Sequence, residues 1–158
     1  MATESSNPMN TPSGRTVLFL DFDGVLHPSG GEASGARFSR RPLLEALLRE
    51  PDLCHVEIVI SSTWREAYPL KQLIAVFSED IRPRIIGVTP TLVDVALHHL
   101  RYREIKNWLA DHTEIVHWAA LDDAIDDFPS DRRANVVFTN PAIGLEHDQL
   151  IALRRLLI

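Results

Sequence analysis

The chain holds one cysteine, Cys54, in 158 residues, so no internal disulfide can form and nothing in its cysteine usage points to an oxidising compartment. A reducing cytoplasm is the expected setting. Long apolar runs are missing too. None approaches the roughly 18 residues that a membrane span needs, and the opening stretch MATESSNPMNTPSG has neither the basic nor the apolar region of a signal peptide. A soluble protein with no membrane partner is expected. Basic residues are outnumbered, 16 Lys and Arg against 22 Asp and Glu, for a net charge of −6. That balance disfavours nonspecific attraction to nucleic acid or to an anionic membrane, although a local basic patch can override a whole-chain sum, and nucleic acid enters only as a substrate end. The seven histidines show no paired spacing for zinc, and heptads, collagen triplets and internal repeats are absent.

What is present is a globular composition, 45% hydrophobic and 24% charged. A single domain of this length buries roughly 68–70% of the surface its unfolded chain exposes. Residues 1–14, rich in Ser, Thr, Asn and Pro without apolar periodicity, read as a disordered arm, and residues 15–158 as one domain. Thr16-Val-Leu-Phe-Leu20 is a continuous apolar run of the kind buried on both faces of a sheet. A glycine-rich connection follows, then a helix opened by Pro42 with Leu43, Leu44, Leu47 and Leu48 on one stripe. Further strands are expected over His55–Ile60, Arg84–Thr89, Ile115–Leu121 and Asn135–Thr139. Helices are expected over Leu70–Phe77, around Ile105, Trp108 and Leu109 to about Asp111, and along Leu150, Leu153 and Leu157. Residues 90–100 fit neither period. Strands alternating with helices imply an α/β, three-layer, Rossmann-like fold: a mostly parallel sheet with helices on both faces.

In such sheets the site lies beyond the carboxyl ends of the strands. Asp21-Phe-Asp23-Gly24 follows the first strand, Ser61-Ser62-Thr63 the second and Asp122-Asp123 the fourth. Carboxylates brought to one edge repel one another unless a cation offsets them, and oxygen-only ligands suit Mg²⁺. Phosphoryl transfer to a carboxylate needs an in-line nucleophile, for which Asp21 is placed. It also needs an acid–base group beside the leaving oxygen, for which Asp23 is placed.

Asp21-Phe-Asp-Gly-Val-Leu26 resembles the first motif of the haloacid-dehalogenase-like (HAD-like) phosphohydrolases, Val59-Ile-Ser61 the second, and Ala120-Leu-Asp-Asp123 the fourth, in matching order over residues 15–158. The compact layout with Ser-Ser-Thr-Trp-Arg after the second strand is similar to small HAD-like domains, some of which occur in RNA-repair proteins. The resemblance implies an Mg²⁺-dependent phosphatase acting through an aspartyl-phosphate. Asp21 is then nucleophile and metal ligand, and Asp23 is acid–base and a metal ligand through its backbone carbonyl. Asp122 is a further ligand, with Asp123 or the pair Asp126-Asp127 completing or supporting the set. Ser61 would hold the phosphate through its hydroxyl and backbone N–H, with Ser62 as the alternative.

The family's third-motif lysine has no clear counterpart. Lys106 lies about 100° round the helix from Ile105, towards solvent, whereas Arg101 shares the Ile105 face. Arg101 is therefore the expected phosphate-binding stand-in, with Lys106 and Arg103 as alternatives. His27 either touches substrate or closes its loop. Trp64-Arg65 reads as a packing aromatic beside a surface charge, and Trp108 and Trp118 read as core. The stretches Asp23–Ser61 and Ser61–Arg101 already hold their core elements, so no separate cap domain fits. An open site favours a bulky phosphorylated substrate or a partner that completes the pocket. The competing readings are a catalytically idle HAD-like module that binds a phosphorylated ligand, and a receiver-type domain, which does not account for Asp-x-Asp-Gly on the first strand.

Overall fold

The computed structural model describes residues 14–30, 36–94 and 97–158. The expected arm over 1–14 falls outside them except for Gly14, as do residues 31–35 of the glycine-rich connection. The apolar runs become five strands: β1 (Arg15–Leu20), β2 (Glu57–Ile60), β3 (Ile85–Val88), β4 (Ile115–Asp122) and β5 (Val136–Phe138). All pair in parallel, in the order β3-β2-β1-β4-β5. The chain moves outward from β1 through β2 to β3, then returns to lay β4 on the other side of β1. That reversal opens a crevice beyond the ends of β1 and β4, where open α/β sheets bind their ligands.

Alternation along the strands feeds two cores. Leu18, Leu20, Ile58, Ile60 and Leu121 pack with Leu44 and Leu48 of α1 (Arg41–Leu48) and with Leu153 and Leu157 of the last helix (His147–Leu157). Val17, Phe19, Val59 and Ala120 face the opposite way, onto Ile105 and Trp108 of the helix Leu100–Ala110. The expected three layers are present. Two short helices, α2 (Trp64–Ala67) and α3 (Leu70–Ile74), follow β2, so the long helices are α4 (Leu100–Ala110) and α5 (His147–Leu157). Among the described residues no cap domain interrupts this order.

Element ends differ from expectation for local reasons. Pro51 opens one 3₁₀ turn, Pro51–Leu53, and Pro83 sits second in another, Arg82–Arg84; these delay β2 to Glu57 and β3 to Ile85. The helix expected to reach Phe77 stops at Ile74. Residues 90–94 and 97–99, ambiguous by periodicity, hold neither helix nor strand. Trp108 is buried as expected, but Trp118 is only half-buried, edge-on to Phe19.

Candidate active site

Register decides which side chains meet. Leu20 pairs with Ile60 and Leu121, and Ile60 with Val88, so the next residues, Asp21, Ser61, Asp122 and Thr89, stand in one row at the carboxyl edge. Their backbone amides stay in the ladder: Asp21 N–H donates to Leu121 O (3.1 Å), Ser61 N–H to Leu20 O (2.8 Å) and Thr89 N–H to Ile60 O (3.0 Å). The expectation that Ser61 offers a phosphate both its hydroxyl and its N–H is therefore corrected, because the sheet uses the N–H. Its Oγ, like Thr89 Oγ1, is buried with no hydrogen-bond partner. Ser62 is buried too, but its Oγ accepts the Trp64 N–H at 3.2 Å as α2 begins.

One carboxylate oxygen from each of Asp21, Asp122 and Asp123 lies within 4.8 Å of the others. Gly24 permits this approach: its φ is +75°, and a Cβ there would stand 2.2 Å from Asp123 Oδ2. Arg101, in the first turn of α4, brings Nη1 to 3.5 Å from Asp21 Oδ1 and 3.6 Å from Asp122 Oδ2. Ile105 and Trp108 bury the same face of α4, which carries Arg101 inward. Lys106 and Arg103 are exposed, and Arg103 donates to His98 O. Asp126 is exposed and Asp127 half-buried on the turn Ile125–Asp127, and neither belongs to the carboxylate group.

Burial pushes the Asp21 carboxyl well above the usual range, Asp122 adds to the push, and Arg101 only partly offsets it. Asp122 is pushed up to about 6, again chiefly by burial, against Arg101 and the Ala124 N–H. The Arg101 guanidinium is raised: burial opposes its charge, but Asp122, Asp21 and Glu104 together outweigh that. One guanidinium among three carboxylates leaves excess negative charge on a set of oxygen ligands, and these residues fit a small, hard divalent cation.

Asp23 is held apart from this group. Its carboxylate accepts from His27 Nε2 (2.7 Å) and from Trp64 Nε1 (3.0 and 3.1 Å), so any share it takes in a metal site falls to its backbone carbonyl. His27 is fully buried beneath the turn that follows β1. One reading of the sequence is extended here and one is corrected. Trp64 is a hydrogen-bond donor to Asp23 as well as a packing ring. Arg65 is no surface charge: its side chain is 5% exposed, paired with Glu104 at 2.6 Å, and it donates to the Thr89 and Ser62 carbonyls. Glu104 lies 39 positions away, so nothing local in the sequence betrays the pair.

The sequence family described as the HAD domain in Swiss Army Knife RNA repair proteins matches residues 17–150. The chain belongs to this family. No curated protein and no solved structure matches it. The matched span of this HAD domain takes in β1 from Val17 onward, the other four strands and all the residues at the carboxyl edge, and membership supports a phosphohydrolase-type function in general terms. Among the described residues no helix is long and apolar enough to cross a membrane.

Proposed function

We propose that this HAD domain is an Mg²⁺-dependent phosphatase that works through an aspartyl-phosphate on Asp21. The observation that carries the reading is the row of Asp21, Ser61 and Asp122 beside Arg101, with Asp23 held two residues from the nucleophile. Asp21, Asp122 and Asp123 would hold the cation through their carboxylates. When bound it would keep Asp21 ionised and offset charge on the phosphoryl oxygens.

Asp21 Oδ attacks phosphorus as the bond to the leaving oxygen breaks, and Asp23 gives its proton to that oxygen. Asp23 then takes a proton from the water that attacks phosphorus, which frees Asp21 and releases phosphate. Arg101 Nη1 and the Ser61 hydroxyl, neither of which has a hydrogen-bond partner, supply donors to the phosphoryl oxygens. The absence of a cap and the family's description favour a bulky phosphorylated substrate, with a nucleic-acid end the first to try. A cytoplasmic setting accords with the lone cysteine.

The test is Mg²⁺-dependent phosphate release from p-nitrophenyl phosphate and from phosphorylated nucleosides, oligonucleotide ends, sugars and peptides, with Asp21→Asn as control. Turnover of at least one substrate that the variant abolishes is expected. Binding of phosphate with no turnover of any of them would instead assign the idle, ligand-binding reading.

A further inference from the structure

A carboxylate on one methylene swings about two torsions, yet an acid–base group must come within about 2.6–3.2 Å of the oxygen it serves. Something has to stop Asp23 from swinging. Its side chain is 39% exposed, too open for packing alone to fix it, and two neutral donors from separate segments grip it. His27 comes from the turn after β1 and Trp64 from the first turn after β2. The His27 tautomer follows from its partners. Phe38 N–H donates to Nδ1 at 3.3 Å, so Nδ1 bears no proton and the ring hydrogen sits on Nε2, which donates to Asp23 Oδ1 at 2.7 Å.

Trp64 Nε1 reaches both oxygens, Oδ1 at 3.1 Å and Oδ2 at 3.0 Å. Oδ1 thus receives two donors and Oδ2 a share of one. The indole is itself wedged, with Phe22 at 5.7 Å, Phe38 at 5.2 Å, Tyr68 at 5.3 Å and the Arg37 guanidinium 4.9 Å from the ring centre. An indole N–H on a ring held from several sides is a rigid donor.

We propose that His27 and Trp64 are positioning residues for proton transfer: together they anchor Asp23 Oδ1 and leave Oδ2 as the oxygen that carries the mobile proton. This rests on the acid–base role given to Asp23 above. As the Asp21–phosphorus bond forms and the bond to the leaving oxygen breaks, Oδ2 gives its proton to that oxygen. As water attacks and the Asp21–phosphorus bond breaks, Oδ2 takes the water's proton. His27 is fully buried, so its part is to act through Asp23.

The test uses leaving groups. The ratio kcat/KM reports steps up to formation of the aspartyl-phosphate, and an alkyl phosphate needs its leaving oxygen protonated there, whereas p-nitrophenyl phosphate scarcely does. Trp64→Phe keeps a ring and loses the donor. We expect kcat/KM to fall about 10- to 100-fold on the alkyl phosphate and less than about 3-fold on p-nitrophenyl phosphate. His27→Gln, which still offers a donor, should retain more of the alkyl activity than His27→Leu. Equal losses on both substrates, or none, overturn the proposal. A second measurement keeps the clamp separable from the phosphatase reading. The Trp64 indole N–H resonance, assigned through Trp64→Phe, should move in Asp23→Asn. A stationary resonance removes the clamp whatever the turnover. A moving resonance in a wild-type protein that hydrolyses neither substrate overturns the catalytic role along with the phosphatase reading.

Discussion

Arg84, at the edge where the strands begin, donates to the carbonyls of Val56, Leu48 and Leu53 at 2.9, 2.5 and 2.6 Å. Arg101, at the edge where they end, stands 3.5 Å from Asp21 and 3.6 Å from Asp122 with Nη1 making no hydrogen bond. Around Arg84 a guanidinium closes the connection between α1 and β2 and each of its three nitrogens has a partner. Around Arg101 two carboxyls are pushed up by burial, and the Ser61 and Thr89 hydroxyls are buried without partners. A fold gains nothing by burying unpaired polar groups, each of which costs about 1–3 kcal/mol. The amino edge is therefore arranged for stability, and the carboxyl edge for a ligand that completes its hydrogen bonds and charge.

The largest effect falls on the nucleophile. Asp21→Asn removes the attacking oxygen and should abolish turnover, a loss of several orders of magnitude in kcat. The same change relieves a buried carboxyl, so the metal-free variant should unfold at no lower a denaturant concentration than the wild type. Undiminished hydrolysis by this variant would falsify the covalent mechanism.

Next, the two arginines can be exchanged for alanine in turn. Arg84→Ala strips partners from three carbonyls and should cost about 2–4 kcal/mol of stability in urea unfolding, with kcat/KM per folded molecule unchanged. Arg101→Ala should instead lower kcat/KM about 100-fold, and Arg101→Lys should recover part of that loss through a single charged donor. If both substitutions proved chiefly destabilising, or both chiefly catalytic, the contrast between the two edges would collapse.

Acidity probes the same contrast. Asp122 titrates near 6 in the folded protein and near 3.9 when unfolded. The folded state thus holds this proton more tightly, and the stability it contributes is full below about pH 3.9 and lost as pH rises through about 6. Raised Asp21 acts in the same direction. Metal-free Asp122→Asn should therefore gain on the wild type between pH 4 and 7, by up to about 3 kcal/mol. Mg²⁺ should stabilise the wild type at pH 8 far more than at pH 5, since protons compete for its ligands, and should do little for the variant. A flat difference across that range, by urea titration in EDTA, would count against the coupled carboxylates.

The strands and the row of residues at their ends were legible because both rest on local sequence. An unbroken run such as Val17 to Leu20 announces a buried strand, and the polar residue that stops it lands at the edge. What stayed hidden depends on distant partners. Trp64 looked like a packing ring because an indole N–H leaves no trace in hydrophobic periodicity, and its acceptor Asp23 is 41 positions away. Arg65 looked exposed because α2 is a single turn with no apolar stripe to reveal which side faces inward. Periodicity marks Thr89 only as the end of a strand, and its unpartnered hydroxyl emerges once the register with Ser61 is known.

The smallest expected effect belongs to Lys106, and it bears on how α4 is turned. At about 100° per residue, Arg101, Ile105 and Trp108 fall on one stripe, and all three are buried. Lys106 lies off that stripe and is exposed beside Tyr102 and Arg103, lining an open groove of about 390 Å³ with Leu92, Leu97 and His99. A lysine there keeps its charge in water and meets none of the three clustered carboxylates. Lys106→Ala should accordingly change kcat/KM on p-nitrophenyl phosphate by less than about twofold and stability by less than about 0.5 kcal/mol. A crippled Lys106→Ala beside a nearly intact Arg101→Ala would mean that α4 rotates when substrate binds, and the basic role at the carboxyl edge would pass to Lys106.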